Sequence, residues 1–267
     1  METLRYRSSG LAHANVVAAC SQLQGLILHI GKFFAACASA LLLTQAALAY
    51  DATADFSPTS NPNGVWTYGT AASVGGVFSA YTSNAATSAT TSGGIALWSN
   101  SSPADVPWFG KAGALGWACC GTVQVEKNTL TMHPGGAGDY SIVRFTSPVA
   151  ATYLVNASFW AQDTVGTNID VHVYKSASSL WSAAVVGTPS APDTETFLGN
   201  VTLAANESLY FKVGPGVSTK PNEPAYYYDS SGFSVSITAV PEPTSAALLI
   251  AGLAAVCGVA RRRMHRD

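Results

Sequence analysis

The most constraining feature of the sequence is a series of runs in which apolar and polar residues alternate. The clearest runs are Tyr140–Phe145 and Tyr153–Trp160, which are separated by the turn-forming stretch 147–150. A period of two places the apolar side chains on one face of a β-strand. Further runs of this kind, divided by Gly, Pro, Asn and Asp, are Ile169–Lys175, Leu180–Val186, Thr196–Leu203, Leu209–Val213 and Phe233–Thr238.

These runs predict an all-β fold. Between Tyr50 and Val240 we find no convincing amphipathic helix, and about ten short strands at regular spacing are typical of a sandwich. The segment 55–121 is less regular, although Trp66–Gly69 follows a turn and has the character of an aromatic strand. We therefore predict a two-sheet, jelly-roll-like β-sandwich, flanked by an N-terminal signal helix and a C-terminal transmembrane helix.

The N-terminal region has the layout of a secretory signal. Lys32 precedes an apolar stretch, Phe33–Leu43, and the small residues Ala47 and Ala49 form an A-x-A cleavage pattern. We predict that residues 1–49 are a signal peptide cut after Ala49. Residues 1–25 are then either an unusually long leading region or the result of a mis-assigned start. The exported domain would comprise residues 50–239.

Residues 240–267 combine three elements in a fixed order. Val240-Pro241-Glu242-Pro243 comes first, an apolar run at about 244–260 follows, and Arg261-Arg262-Arg263 comes last. At a rise of about 1.5 Å per residue, the apolar run just reaches the length of a membrane span. Because basic residues beside a span stay cytoplasmic, everything before Val240 is expected to lie outside.

This tail resembles the PEP-CTERM sorting tail of Gram-negative bacteria, some examples of which carry the label "ice-binding protein C-terminal domain". The resemblance implies that an exosortase, a membrane transpeptidase, reads the tail and passes the protein to the cell surface or extracellular matrix. The precursor would be anchored in the inner membrane until then. An ordinary C-terminal anchor is the alternative. An ice-binding role would need a flat, regular array of Thr or Ala, and the sequence shows no such repeat.

The charge of the predicted exported domain excludes nucleic acid as a partner. Between Tyr50 and Val240 there are six Lys and Arg residues against twelve Asp and Glu residues, a net charge of 6 − 12 = −6. Nucleic-acid binding requires clustered basic residues. The low density of charge and the abundance of Ser, Thr, Asn and Gly fit a secreted β-protein instead.

Aromatic residues are the candidates for ligand binding. The aromatic segments resemble the extracellular cargo domains often found ahead of PEP-CTERM tails, which look like carbohydrate-binding jelly rolls. An aromatic face can pack on the apolar face of a pyranose, although core packing is the competing interpretation for any single tryptophan. The predicted glycan-binding residues are Trp66, Tyr68, Trp98 and Trp108, with Trp117 as a further candidate.

Two other kinds of site are predicted. Asp163, Asn168 and Asp170 span a Gly-containing loop, and with Asp229 they could hold a structural Ca²⁺ ion, although ordinary turn chemistry explains them as well. The adjacent Cys119 and Cys120 could form a strained local disulfide, pair with another molecule, or remain as thiols. No other cofactor is expected.

The sequence favours a binding protein over an enzyme. It contains no G-x-S-x-G, H-E-x-x-H or P-loop motif. Our leading hypothesis is a non-catalytic, surface- or matrix-targeted module that binds a glycan, such as exopolysaccharide. The alternatives are a purely structural surface protein and, with less support, a glycan-acting hydrolase.

Overall fold

Strand β11 (Ala151–Ala161) shows how the sequence pattern becomes structure. Tyr153, Val155, Ala157 and Phe159 are fully buried, whereas the residues between them point away from the core. Because side chains alternate across a strand, this single run lines the interior with one face. The strand pairs along its length with neighbours on both sides. Alternation and pairing together place β11 inside a sheet.

The computed structural model describes residues 48–87, 93–100, 107–218, 220–240 and 252, and residues Ala47–Val240 form one compact unit. Besides β11, its strands are β1 (Ala49–Asp51), β2 (Trp66–Ala71), β3 (Ser79–Ala80), β4 (Ser83–Thr87), β5 (Ile95–Ser99), β6 (Trp108–Ala112), β7 (Trp117–Cys119), β8 (Val123–Val125), β9 (Leu130–His133), β10 (Tyr140–Thr146), β12 (Thr167–Lys175), β13 (Ser178–Gly187), β14 (Thr194–Leu203), β15 (Ser208–Pro215) and β16 (Ser231–Ala239).

The strands form two large antiparallel sheets and a small hairpin. The first sheet has eight strands in the order β14-β11-β16-β9-β6-β5-β4, and β1 also pairs with β16. β9 pairs with the first residues of β16 and β1 with the last ones, so both lie along the same edge of that strand. The second sheet has the order β13-β12-β15-β10-β2-β3, and β7 pairs with β8.

The predicted fold class is confirmed, since the described part of the domain is an all-β sandwich. All the predicted strands between Tyr140 and Thr238 are present, and each extends one or two residues further at one or both ends. The predicted signal helix and transmembrane helix fall outside the described residues. Among the residues that are described, no helix is long and apolar enough to cross a membrane.

The core between the sheets is an aromatic cluster centred on Phe233. Its ring centroid lies 5.2 Å from that of Phe159 and 6.5 Å from that of Phe109, both in the first sheet. It lies 5.7 Å from that of Phe211, which belongs to the second sheet. Phe233 is 1% exposed. Its ring therefore links the two layers, and burial of such rings is a major source of stability in a sandwich.

We expect Phe233→Ala to lower the free energy of unfolding by about 3–5 kcal/mol, because it leaves a cavity between the sheets. Urea unfolding followed by tryptophan fluorescence measures this change. Leu198→Ala is the matched control, since Leu198 is 66% exposed and its truncation should change stability by no more than about 0.5 kcal/mol. Similar losses in the two variants would contradict the assignment of Phe233 to the core.

Candidate functional site

The short β7–β8 hairpin forms one wall of the candidate site. Its turn includes Cys120 and Gly121, whose φ angles of 61° and 83° lie in the left-handed region. Backbone bonds fix the hairpin to the chain that follows β11, since the Gln124 amide donates to the Gln162 carbonyl at 2.8 Å. The Thr122 hydroxyl also donates to Asp163 Oδ2 at 3.0 Å. The hairpin is thus attached to the first sheet at a defined position.

Cys119 and Cys120 form a disulfide bond with each other. Of the three states that the sequence left open, the structure has the local bridge. Cys119 is half-buried and Cys120 is exposed. The pair consequently presents polarisable sulfur at the surface beside Trp117.

An open cavity of about 510 Å³ lies against this hairpin. Trp117, Cys119 and Cys120 line it from the hairpin, Trp108 from β6, and the segment 226–228 from the loop before β16. Its lining is mainly apolar, with Thr122, His133, Asp163 and Ser230 as polar members. A concave, mostly apolar surface with a few polar groups is the usual form of a small-ligand site.

A continuous series of ring contacts surrounds the cavity. Trp117 meets Trp108 edge-on at a centroid distance of 5.9 Å, and Trp108 stacks on His133 at 5.5 Å. His133 meets Tyr226 at 6.4 Å, and Tyr226 meets Tyr227 at 4.8 Å. Trp117 is half-buried and Tyr227 is 42% exposed. The two ends of the series therefore keep part of their ring surface open to a ligand.

The polar groups of the cavity are already oriented by the protein. His133 Nδ1 lies 2.6 Å from the carbonyl oxygen of Pro134, which can only accept a hydrogen bond, so Nδ1 carries the proton. Asp163 Oδ1 accepts from the Val165 amide at 2.9 Å, and its Oδ2 accepts from Thr122. Hydroxyl and imidazole groups held in this way can orient a ligand that carries several hydroxyls.

Three of the predicted glycan-binding residues belong to the core instead. Trp66 is 1% exposed, Tyr68 is fully buried and Trp98 is 5% exposed. The ring of Trp66 packs on Phe145 and that of Tyr68 on Phe109, with centroids 5.4 and 4.6 Å apart. These three cannot offer a face to a sugar, so this part of the prediction is wrong.

Their polar atoms are also satisfied internally. Trp66 Nε1 donates to Asp55 Oδ2 at 3.0 Å, and Trp98 Nε1 donates to the Ser57 carbonyl at 2.8 Å. Because a buried indole N–H requires a partner, these bonds show that each ring is built into the interior. They also attach the segment 55–57 to the sandwich.

Trp108 and Trp117 are the two predicted aromatic residues that line the cavity, although Trp108 is itself buried, with 6% of its surface exposed. The sequence did not identify His133 or the tyrosine segment 226–228 as members of the same site. The run of three tyrosines was the available signal, because so many large rings in a loop have little room in a core. Their proximity to Trp117 depends on the sheet topology and could not be inferred from spacing.

The structure brings Asn168 into contact with Asp229 but does not gather all four predicted calcium ligands into one cluster. Asp170 belongs to the outer face of β12, where it accepts from the Tyr140 hydroxyl at 2.6 Å and contacts His172 Nε2 at 2.7 Å. Asn168 contributes its backbone amide, which donates to Asp229 Oδ1 at 3.2 Å. Within the described residues, no group of three or more His, Cys, Asp or Glu side chains could hold a metal ion. A structural calcium ion stays an untested prediction.

Asp229 is an unusual buried carboxyl group behind the cavity. It is 1% exposed, and its Oδ2 has no hydrogen-bond partner among the described residues. Burial raises the pKa of Asp229 to about 8, and the charge of Asp163 adds to the increase, although the amides of Asn168 and Gly216 oppose it. At neutral pH this group is therefore mainly protonated.

The predicted processing sites lie at the edges of the described domain. Ala49 pairs with Thr238, so the residues around the predicted signal cleavage form strand β1, whereas Ala47 falls outside the described residues. Val240 follows β16 directly, and its amide donates to the Thr152 carbonyl at 2.8 Å. The remaining predicted sorting residues, Pro241, Glu242, Pro243 and Arg261–Arg263, also fall outside.

Comparison with known proteins identifies the tail. Residues 239–263 match the PEP-CTERM protein-sorting motif. The match begins at the last residue of β16, where the sandwich ends. The PEP-CTERM resemblance seen in the sequence is thereby confirmed, and such a signal implies an exported protein that is anchored in the membrane before processing.

Solved structures similar to the sandwich include carbohydrate-binding modules. One is the CBM51 from Clostridium perfringens GH95 in complex with methyl-galactose, with 14% identity, 44% of this chain and 78% of that chain covered, and a TM-score of 0.29. Another is a family 35 carbohydrate-binding module from Clostridium thermocellum, which is 9% identical. The match covers 58% of this chain and 98% of that chain, with a TM-score of 0.27. At these values the likeness says nothing about what this chain binds. No curated protein matches the chain.

Asp229→Asn should change how stability depends on pH. The folded state keeps a proton on Asp229 up to about pH 8, whereas the unfolded chain loses it near pH 4. Between these values the folded state binds more protons, so the stability of the wild type should fall as pH rises, by at most about 1.4 kcal/mol per pH unit for this group. The Asn variant lacks this contribution.

Urea unfolding of both proteins between pH 5 and 9 measures the difference. The stability of the wild type relative to the variant should decline up to about pH 8 and then level off. Identical pH profiles would contradict the assignment. Calcium chloride at pH 9 tests the ion separately, because calcium bound at Asp229 would stabilise the wild type and leave the variant unchanged.

Proposed function

We propose that this exported protein is a non-catalytic glycan-binding module that acts at the cell surface or in the extracellular matrix. The observation that carries the proposal is the ring series around the 510 Å³ cavity, with Trp117 and Tyr227 partly open to solvent. A pyranose has an apolar C–H face that packs on such rings, and its hydroxyls need the kind of oriented polar groups that His133 and Thr122 provide.

The disulfide contributes to the same surface. Cys119 and Cys120 line the cavity beside Trp117, and sulfur is polarisable and weakly hydrogen-bonding. Together with the indole they provide apolar area for the face of a sugar ring. Because a disulfide persists in an oxidising compartment, this surface suits a protein that works outside the cytoplasm.

Among the described residues, the cavity lining does not include the pair of carboxyl groups that glycoside hydrolysis usually requires. Most such enzymes place two carboxyl groups on either side of the scissile bond. Asp163 is the one carboxylate among the described residues that line the cavity, and both of its oxygens are engaged by Thr122 and Val165. This chemistry supports binding without catalysis.

The sorting tail supplies the destination in this proposal. A PEP-CTERM motif at 239–263 would be read by an exosortase-type transpeptidase while the C-terminal apolar segment holds the precursor in the inner membrane. Release would then deliver the sandwich to the surface or matrix. A module delivered there encounters the cell's own exopolysaccharide, which we propose as its ligand class.

We expect Trp117→Ala to weaken glycan binding at least tenfold, because it removes the partly open ring at one end of the series. About tenfold corresponds to 1.4 kcal/mol. The full chain in a polyoxyethylene detergent, which carries no sugar head group, is screened on an array of neutral and acidic polysaccharides, and affinity for the best ligand is measured by calorimetry.

Trp117→Phe is the matched control, since it keeps an aromatic face and should retain most of the affinity. Thermal unfolding establishes that both variants are folded. If the wild type bound no polysaccharide, or if the folded Ala variant bound as tightly as the wild type, the cavity would not be a glycan site.

A structural role is the second candidate, and the sheet edges favour it. β13 and β14 each have ten residues and end their respective sheets. Leu198 on β14 is 66% exposed and Val186 on β13 is 54% exposed. Long apolar edge strands with free backbone groups can pair with another chain. In this alternative the sandwich assembles with copies of itself and takes no ligand.

Leu198→Lys tests the structural role, because a charged side chain on an edge strand opposes pairing. Sedimentation velocity over a range of protein concentrations measures assembly. Concentration-dependent association of the wild type that the Lys variant loses would support the structural role. A wild type that stays monomeric throughout would exclude it.

A further inference from the structure

Lys212 is a buried cation on the outward face of the second sheet. Its neighbours Phe211 and Val213 point into the core and are fully buried, so the Lys212 side chain points the other way. The residue is nevertheless only 5% exposed. Its Nζ lies 4.2 Å from the ring centroid of Tyr174 and 5.6 Å from that of Tyr210.

The ammonium group has no acidic partner among the described residues. Its one direct hydrogen bond there is to the carbonyl of Val74. The carboxylate of Asp170, on the adjacent strand β12, is already engaged by Tyr140 and His172. A buried charge is costly unless it is paired. The Lys212 ammonium has three N–H donors, so an anion that accepted from it would be stabilised.

A cavity of about 250 Å³ adjoins this ammonium. Tyr174 and Tyr210 line it, and Phe78 and Gly75 belong to its loop side. A Cβ built on Gly75 would meet nothing within 4 Å, so the cavity is open beside this residue. The site therefore combines a desolvated cation, aromatic walls and an entrance.

Arg144 adds a second cation to the same face, and it too has no ion pair among the described residues. It stands opposite Tyr210 in the β10–β15 register, and its guanidinium lies 4.6 Å from the centre of the Phe78 ring. Its Nη2 donates to the Thr67 hydroxyl at 3.0 Å, and its Nε has no partner among the described residues. Two cations without carboxylate partners among the described residues therefore lie on this face, in a domain whose Tyr50–Val240 sequence carries a net charge of −6.

We propose that the Lys212 cavity binds the carboxylate of an acidic sugar unit. The carboxylate pairs with the Lys212 ammonium in a largely desolvated setting, where such pairs are strongest. The sugar ring packs on the rings of Tyr174 and Tyr210, which lie side by side on the adjacent strands β12 and β15. This site is separate from the aromatic cavity, so the protein would recognise a polysaccharide that carries uronate units through a second contact.

The decisive comparison is between methyl glucuronide and methyl glucoside. The glucuronide carries a carboxylate where the glucoside carries a hydroxymethyl group. Binding to the full chain in polyoxyethylene detergent is measured by calorimetry. We expect the glucuronide to bind at least tenfold more tightly than the glucoside. Lys212→Met should remove this preference, whereas Lys127→Met, which deletes an exposed positive charge elsewhere, should preserve it.

A second pair of variants keeps the test independent of the structural role of Lys212. Gly75→Asp places a carboxylate at the open side of the cavity, where it should pair with Lys212 and repel the uronate, lowering glucuronide affinity at least tenfold. Gly75→Asn is the isosteric neutral control and should bind nearly as the wild type does. Thermal unfolding verifies that each variant is folded.

The outcomes separate this proposal from the aromatic cavity. Trp117→Ala should leave glucuronide binding unchanged, and Lys212→Met should leave the binding of neutral glycans unchanged. Equal affinity of the wild type for the two methyl glycosides would overturn the proposal, as would equal glucuronide binding by the Gly75→Asp and Gly75→Asn variants. Loss of glucuronide binding in Trp117→Ala would assign the sugar to the aromatic cavity instead.

Discussion

The fold depends above all on the pairing of β16 with its neighbours. Ser231–Ala239 pairs with β11 on one side and with β9 and β1 on the other. These contacts join the two ends of the domain, since β1 begins at Ala49. The same strand places Phe233 between the sheets. Burial of that ring and completion of the hydrogen-bond ladder thus act together, and the sorting motif begins where the ladder ends.

Local pattern made the strands predictable. Within β11 and β12, every second residue is apolar and buried, so the sequence itself records which face each strand buries. The N-terminal strands β2 to β6 were less evident. β2 is buried on nearly all positions, because a loop covers its outer side, and a strand covered on both faces loses its alternation.

The candidate site was only partly predictable because its residues are close in space and distant in sequence. Trp108, Trp117, His133 and Tyr226 meet through the β6–β9 pairing and the loop before β16. The sequence indicated that aromatic residues would form the site, but it did not show which of them are exposed. Trp66 and Trp117 are the same residue type in the sequence. In the structure, Trp66 donates its indole N–H to Asp55 in the interior, whereas Trp117 lies on a surface hairpin.

The net charge of the domain likewise does not predict the charge beside a particular cavity. The net charge of the domain argues against nucleic acid, whose closely spaced phosphates would meet the acidic surface as a whole. A single carboxylate in a cavity is governed by what lies within a few ångströms, because the low dielectric there strengthens near charges relative to distant ones. Lys212 Nζ lies 4.2 Å from the centre of the Tyr174 ring, and no ion pair among the described residues involves it. Lys212 is the charged side chain among the described residues that line this cavity, although the domain as a whole is acidic.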